Sequence, residues 1–530
     1  MTTPALDRLV VGFDEATVDD RLLLGGKGSG LVQMTRLRIP VPPGFILTTE
    51  CGREYRETGG LSPAIRGAIA GHLHTLESAL GRRFGDPADP LLVSVRSGAP
   101  VSMPGMMDTI LNVGLTAESV TALAAATGDD RFAYSCFEHL LTGYATSVKD
   151  IDPADVDDAL DGLDHEIGDG ARRCAALVAL IEAETGSPFP GPTVQLEESV
   201  GAVFSSWGSR RAKAYRKHRG IDDSLGTAVV IQAMVYGNRS DTSGSGVVFT
   251  RNPVTGEPGP CGEYLARAQG EDVVSGEFAS VSLDTLAAQL PETARRLDEV
   301  LAQLECHARD MCDVEFTVEN GRLWILQTRV GQRGSRAAIR IAVDLAADGV
   351  ISREEAVERI RERSVTRLRR VADPVPAASV LIARGIASSG GAAVGIAAFD
   401  PGEAADLAQR GADVILIRPT TSPSDMAGLI AARAVVTGRG GPMSHAAVVA
   451  RGMDRPAVCG LGEISIAADR QSASLNGVPI RAGTTVTVDG DHGWIARGEL
   501  PLIAADEDPY YRIFQSWSDE LAAADEVKTR

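Results

Sequence analysis

Thr437-Gly438-Arg439-Gly440-Gly441-Pro442-Met443-Ser444-His445-Ala446-Ala447-Val448-Val449-Ala450-Arg451 is the stretch whose reading decides the second half of this chain. The apolar run that ends at Thr437 reads as a strand. It enters a glycine-rich turn, and a helix is predicted to start at Ser444 or His445. Ser444 has the short oxygen side chain of a good N-cap. The free N–H groups and the dipole of a helix start favour an anion. They disfavour a protonated imidazole, so His445 is expected to be neutral and nucleophilic. A phosphoryl group on that ring would sit over the helix N-terminus, with Arg439 in reach. A histidine alone at a turn is ordinarily a surface residue, and the other seven of the chain's eight are read that way. At His445 the strand, turn, cap and Ala-Ala-Val-Val helix all agree.

Working outward, 530 residues are too many for one hydrophobic core, so two or three domains are expected. Apolar residues make up 44%, charged residues 23% and aromatics 5%, a globular composition with aliphatic cores. The net charge of −19 argues against nucleic acid and anionic membranes as partners. A nucleotide would need positive charge gathered locally. The seven cysteines are odd in number, widely spaced and without a Cys-x-x-Cys, which fits reduced thiols in a cytoplasm. Met1 to Val11 has no apolar h-region, and no apolar run approaches the roughly 20 residues that span a bilayer.

The first third holds short β-like runs, Val41–Leu47 and Leu91–Val95 among them. Ala117 to Glu184 reads as helical. Strands return near Ala228–Gln232 and Gly246–Phe249 and continue from Cys312 to Gln327. Ser335 to about Arg370 reads as helix, with Ser352-Arg353-Glu354-Glu355 as a capping-box start. Ala372–Ser379 is the clearest linker and the candidate hinge. A second unit follows, with β runs at Ala392–Ala397, Val414–Ile417, Ala434–Thr437 and Thr485–Val488. From Ala504 the chain is acidic and amphipathic, anchored by Tyr510, Tyr511, Phe514 and Trp517.

Four further segments carry chemistry. Gly25-Gly26-Lys27-Gly28-Ser29-Gly30-Leu31 lets backbone N–H groups approach phosphates and adds a point charge at Lys27. Its spacing is not that of a Walker A motif, and a plain glycine turn before a helix explains it as well. Arg96, in Val93-Ser94-Val95-Arg96-Ser97-Gly98, ends a buried strand, where its guanidinium needs either a structural carboxylate or a phosphate. Asp313 and Glu315 alternate on one strand face. If Glu319-Asn320-Gly321 is a three-residue loop, Asp313 pairs opposite Gln327, giving a hard-oxygen site for magnesium and phosphates; a two-residue loop sends Gln327 to the other face. An exposed hairpin without a ligand is the plain alternative. Gly244 and Gly246, followed downstream by Gln269-Gly270-Glu271-Asp272, suggest close backbone approach to a ligand, or a bulge.

Taken in order, these segments resemble the pyruvate phosphate dikinase family over about residues 10 to 500. Ser94–Gly98, Met103–Asn112, Phe249-Thr250-Arg251-Asn252-Pro253 and Ser444-His445-Ala446-Ala447 are the most specific matches. The resemblance implies an α/β and α+β multidomain fold: an ATP-grasp nucleotide-binding domain (1–335, with a helical insertion about 117–200), a helical linker and hinge (336–385), a swivelling β/β/α phosphohistidine domain (386–500) and an amphipathic tail (501–530). It implies ATP and Mg2+, with His445 attacking the β-phosphate and the γ-phosphate passing to inorganic phosphate. Lys27 and Arg96 would hold phosphates, Glu271 and Asp272 would lie at the nucleotide, Asp313, Glu315 and Gln327 would serve magnesium, and Gly246 and Arg329 would line the γ-phosphate site.

Three departures qualify the resemblance. The family's phosphoenolpyruvate/pyruvate barrel needs roughly 250 residues, and about thirty follow position 500 here. The family's paired arginines after Arg131-Phe132-Ala133-Tyr134 are Glu138-His139 here, which leaves water as an alternative γ-acceptor. Met443 stands where the family has a regulatory threonine. The leading expectation is a dikinase-type phosphotransferase whose acceptor, pyruvate or phosphoenolpyruvate, sits on a separate barrel-like protein, with a homodimer as one option for assembly. The alternatives are a stand-alone small-molecule dikinase, similar in plan to the rifamycin phosphotransferases, and a non-catalytic nucleotide or phosphate sensor.

Overall fold

The computed structural model describes residues 9–16, 20–101, 103, 107–163, 170–275, 281–361, 369–373, 376–504 and 508–528. These fall into two units, Met1–Asp241 with Trp324–Thr328, and Thr242–Leu323 with Arg329–Arg530.

The first unit is built on a five-stranded sheet of β1 (Val10–Gly12), β2 (Gly44–Leu47), β3 (Val93–Gly98), β4 (Thr109–Val113) and β5 (Ala228–Ala233), in the order β1-β2-β5-β3-β4. All six residues of β5 are buried, as an apolar, β-branched run between two neighbours requires. Helix α1 (Arg21–Arg36) packs on this sheet. Helices α2 (Ala117–Thr127), α3 (Asp130–Gly143), α4 (Pro153–Leu160), α5 (Gly170–Thr185), α6 (Pro192–Ser206) and α7 (Arg210–Arg219) follow. The helical stretch therefore runs on past its predicted end. Its boundaries have local causes: Thr116 and Ser119 form a reciprocal capping box, and Gly128 closes α2 in the left-handed conformation.

A second sheet consists of β6 (Gly244–Arg251), β7 (Pro258–Ala266), β8 (Val281–Ser282), β9 (Cys312–Glu319) and β10 (Arg322–Val330), ordered β8-β7-β6-β9-β10; all of it belongs to the second unit except residues 324–328 of β10. After α8 (Gly270–Ser275), helices α9 (Ser335–Ala347) and α10 (Arg353–Arg361) pack together, and α12 (Pro509–Lys528) closes over them. The predicted anchors Tyr510, Tyr511, Phe514 and Trp517 are half-buried in that cluster. Arg340 lies 4.9 Å from the Tyr510 ring and Arg353 5.2 Å from Trp517; each such pair is worth about 0.5–2 kcal/mol.

The helix predicted to reach Arg370 stops earlier. Arg369–Val371 is strand β11, paired antiparallel with β20 (Leu502–Ala504). That partner lies far along the chain, and local periodicity does not register it. Pro374 and Val375 of the candidate hinge lie outside the described residues, but Ala372 N–H donates to Pro501 O at 2.9 Å.

The remaining strands, β12 (Leu381–Arg384), β13 (Ile386–Ser389), β14 (Ala392–Ala398), β15 (Val414–Arg418), β16 (Ala434–Thr437), β17 (Ala457–Cys459), β18 (Thr485–Asp489) and β19 (Trp494–Arg497), form one sheet ordered β12-β19-β18-β14-β15-β16-β17-β13. The central β14-β15-β16-β17 ladder is parallel. The four predicted β runs are β14, β15, β16 and β18. Helix α11 (His445–Gly452) connects β16 to β17. Among the described residues no helix is long and apolar enough to cross a membrane.

Candidate active site

In the first unit, Asp20 caps α1 by accepting from Leu22 and Leu23 N–H, so the helix starts before the glycine run. At Gly25 it kinks (φ 72°, ψ 164°). The kink admits the end of β3: a Cβ on Gly25 would stand 1.7 Å from Gly98 O, and Gly26 N–H donates to Ala99 O at 2.9 Å. The glycines therefore serve a close backbone approach first. A Cβ on Gly98 would lie 3.8 Å from the Lys27 Cβ, so Lys27 leaves the helix beside the strand that carries Arg96. Arg96 Nη1 donates to Leu326 O at 3.4 Å, and Gly30 packs at Thr328 O. Lys27, Arg96 and the segment around Gln327 thus converge within this unit. Pro104, Gly105 and Met106 of the Met103–Asn112 motif lie outside the described residues.

In the same unit Glu138, standing where an arginine was expected, receives Arg173: Nε to Oε2 at 3.1 Å and Nη2 to Oε1 at 2.6 Å. Arg173 is buried and also donates to Leu163 O. The pair is internally neutral, while His139 is exposed.

The second unit holds the carboxylates. The β9–β10 turn is the two-residue Asn320-Gly321, with both φ values positive (51° and 78°), so the three-residue loop is not what forms. At the open end of the hairpin Gly331 N–H donates to Met311 O at 2.9 Å, one residue out of step with that turn. The slip sets Arg329, not Gln327, opposite Asp313. Arg329 Nε meets Asp313 Oδ2 at 2.8 Å, and its Nη2 lies 3.7 Å from Glu315. Burial pushes the Asp313 carboxyl above its ordinary range, against the pull of Arg329. Asp313 Oδ1 is buried and, among the described residues, has no hydrogen-bond partner.

Cross-strand register shows what shares the face of these carboxylates. Asp313 opposes Phe249, which opposes Cys261; Glu315 opposes Val247, which opposes Glu263. Gly246 belongs to the next row, Tyr264–Gly246–Phe316, beyond Glu315. A Cβ there would stand 2.4 Å from the Phe316 ring, and one on Gly244 2.2 Å from the Tyr264 hydroxyl. Those glycines accommodate a stacked aromatic pair on the opposite face, so the structure does not gather Gly246 with Asp313 and Glu315. Asp272 Oδ2 accepts from Gln269 N–H at 2.8 Å, a capping role at the start of α8. The Glu271 side chain lies outside the described residues.

The histidine lies on the carboxylate face. Ser444 caps α11 by accepting from Ala447 N–H, as expected, and His445 is the helix's first residue, half-buried. Its Nδ1 is 3.5 Å from Thr421 Oγ1. Burial holds the imidazole pKa below its ordinary 6.5, opposed by Asp425. A Cβ on Gly441, in the turn before His445, would stand 2.0 Å from Glu263 Oε1, so the turn lies directly on the Glu263–Val247–Glu315 row. At the far end of the helix, Arg451 stacks over Phe249 at 5.3 Å. Arg439 is exposed, and its N–H donates to Pro419 O.

Thr421, Asp425, Glu263 and Arg451 were not predicted as site residues. A signal for one of them was present: Ser422-Pro423-Ser424-Asp425 has helix-start spacing, and Ser422 and Asp425 do form a capping box beside His445. Glu263 sits on a strand with no local signal.

A family model described as the pyruvate phosphate dikinase AMP/ATP-binding domain matches residues 21–78 and 65–290. A second, described as the PEP-utilising enzyme mobile domain, matches residues 411–493. The chain is 41% identical over 534 residues to pyruvate, phosphate dikinase of Rhizobium meliloti (strain 1021), covering 96% of this chain and 59% of that protein. It is 41% identical over 527 residues to the Clostridium symbiosum protein of the same name, covering 97% and 60%. With pyruvate, phosphate dikinase 2 of Zea mays it shares 40% over 525 residues, 96% and 59%. It therefore spans about three-fifths of the length of these relatives. On a mixed helix-and-sheet architecture, with a nucleotide-binding domain followed by a mobile domain that carries His445, the chain belongs to the pyruvate phosphate dikinase family.

Proposed function

We propose that this chain transfers the β-phosphoryl group of ATP to His445 and passes it on to an acceptor. The observation that carries this reading is a histidine kept neutral by burial at the capped start of α11, on the same sheet face as Asp313 and Glu315. With Nδ1 directed to the Thr421 hydroxyl, Nε2 is the nitrogen left to attack phosphorus. The phosphoryl negative charge then meets the N–H groups at the start of α11. Lys27 and Arg96 draw charge from the departing phosphates, and Arg329 balances the carboxylates. Within this reading residues 1–335 are the nucleotide-binding domain and 386–500 the phosphohistidine domain, joined through 336–385, with 501–530 as the tail.

Magnesium fits the residues present. Asp313 Oδ1 is a buried acceptor without a partner among the described residues, and Glu315 is its same-face neighbour on the strand. Among the described residues no three His, Cys, Asp or Glu side chains form a closed cage, and magnesium bound through one or two carboxylates plus substrate phosphates needs none. Asp313 and Glu315 would hold the ion, which would neutralise charge on the phosphates.

The acceptor we favour is pyruvate, named by the relatives, bound outside these 530 residues on a separate protein or a further part of a longer chain. For the γ-phosphate we favour water over inorganic phosphate. The Glu138–Arg173 pair supports this choice, because it leaves no net cation at the position of the expected arginine.

The test uses ATP labelled separately at β and γ, with magnesium, with and without inorganic phosphate, on wild type and His445→Ala. Acid-labile β-label on wild type alone, with AMP formed, is the expected result. A strict phosphate requirement would overturn the water assignment, and γ-label with ADP would overturn the chemistry.

A further inference from the structure

Arg451 ends the helix that His445 begins, and it is 1% exposed. Its Nη1 donates to Ser388 O at 2.8 Å, within the sheet that carries the histidine. Its Nε donates to Gln332 O at 3.2 Å, just past β10, and its plane stacks over Phe249 of β6. Phe249 is the cross-strand neighbour of Asp313. One guanidinium therefore holds the histidine sheet with one hand and the carboxylate sheet with the other. Among the described residues its Nη2 has no hydrogen-bond partner, and neither does Asp313 Oδ1. Burying a guanidinium with no direct carboxylate bond is unfavourable, and an apolar side chain would fill this space without that penalty. The charge needs a reason, and the face that Arg451 covers supplies one, because the negative charge of Asp313 lies on it. The field of Asp313 supports the protonated guanidinium against a strong desolvation that brings its pKa down to about 10.

Six residues of helix, about 9 Å, separate Arg451 from His445. The other end of this rod is fixed where Gly441 rests on Glu263. Two contacts on rows two residues apart, on the same sheet face, set both the position and the direction of α11 on the sheet.

We propose that Arg451 is a positioning residue for phosphoryl transfer, seating the His445 helix on the Asp313–Glu315 face of the nucleotide-side sheet. This rests on the reading of His445 as phosphoryl acceptor. The guanidinium touches no reacting atom; it acts through where His445 stands. Losing such alignment by about an ångström slows a reaction on the order of 10²-fold.

The experiment uses the full chain, Mg-ATP labelled at the β-phosphate, and rapid-quench measurement of labelling in a single turnover. Arg451→Met is expected to lower the labelling rate on the order of 10²-fold, while the dissociation constant for ATP stays within about twofold of wild type. Arg451→Lys, which keeps charge but loses the planar fork and the stack, is expected to recover part of the rate. A wild-type labelling rate in Arg451→Met overturns the proposal, and so does an equal loss of rate and ATP affinity. Should Arg451→Met not fold, Phe249→Leu removes only the stacking face, and an unchanged labelling rate there overturns the proposal. If wild type takes no β-label, the functional reading fails separately. Hydrogen exchange then decides the positioning role: Arg451→Met must lose protection along α11, and unchanged protection refutes it.

Discussion

Substituting Gly25 by Ala tests the claim that the glycine-rich segment near the N-terminus is first a device for close backbone approach. A Cβ at Gly25 would stand 1.7 Å from the Gly98 carbonyl oxygen, so restoring even 3.0 Å moves backbone by about 1.3 Å. The conformation itself, φ 72° and ψ 164°, lies in a region reserved for glycine, at a cost of about 1–3 kcal/mol for alanine. The Gly26–Ala99 hydrogen bond would be lost as the strand end withdraws, adding about 1 kcal/mol. The combined effect is about 2–4 kcal/mol. At roughly 2–4 °C per kcal/mol for a unit of this size, the first unit should melt about 10 °C lower. Lys27 moves with the kink, so ATP affinity should fall at least about tenfold. Gly28→Ala is the control. The nearest atoms to its Cβ belong to the Ile46 side chain, at 2.9 Å, and alanine's helix preference offsets about 0.5–1 kcal/mol of the crowding. Differential scanning calorimetry and equilibrium dialysis with ATP read both variants. A Gly25→Ala protein melting within 3 °C of wild type, with unchanged affinity, would refute the reasoning.

His445 has its pKa lowered by burial, so it stays neutral to a lower pH than a free imidazole, and labelling should persist below pH 6.5 and decline only as pH falls through the depressed value. Asp425→Asn removes the influence that raises it and should move the acid limb of the pH–rate profile further down; a move upward would contradict the assignment. Asp313→Asn should abolish magnesium-dependent labelling, by on the order of 10²-fold or more, yet relieve a buried carboxylate, leaving the melting temperature within a few degrees; a large loss of stability would make Asp313 structural. Glu138→Ala leaves the buried Arg173 without its carboxylate and should destabilise by about 3–5 kcal/mol, read by urea unfolding.

What could be read in the sequence was what local chemistry determines. The strand, glycine turn, Ser444 cap and His445 helix lie within fifteen consecutive residues, and each choice supports the next. The aromatic anchors of the last helix were legible for the same reason. What escaped reading depends on partners far along the chain. Gly244 and Gly246 are glycines because Tyr264 and Phe316 lie across them, and no window around position 245 contains those rings. The hairpin register turned on a single residue of loop length and then on a slip along the ladder, which moved Arg329 opposite Asp313. The helix read through to Arg370 ended early because β11 pairs with β20. Arg451 stood in the most informative stretch of all, but its role comes from Phe249, Gln332 and Ser388.

The pairing of β11 with β20 makes residues 372–501 topologically an insertion. The chain enters that stretch along one strand and leaves it along the other, with Arg369 opposite Ala504 and Val371 opposite Leu502. Paired strands run about 5 Å apart, a gap that a hairpin turn of two to five residues closes. Such a turn could replace the whole stretch without cutting α9, α10 or α12, which also pack on one another. The same adjacency of ends is what lets a module be moved between host chains, so the histidine-bearing sheet is already laid out as a cassette, with its splice points marked by four residues.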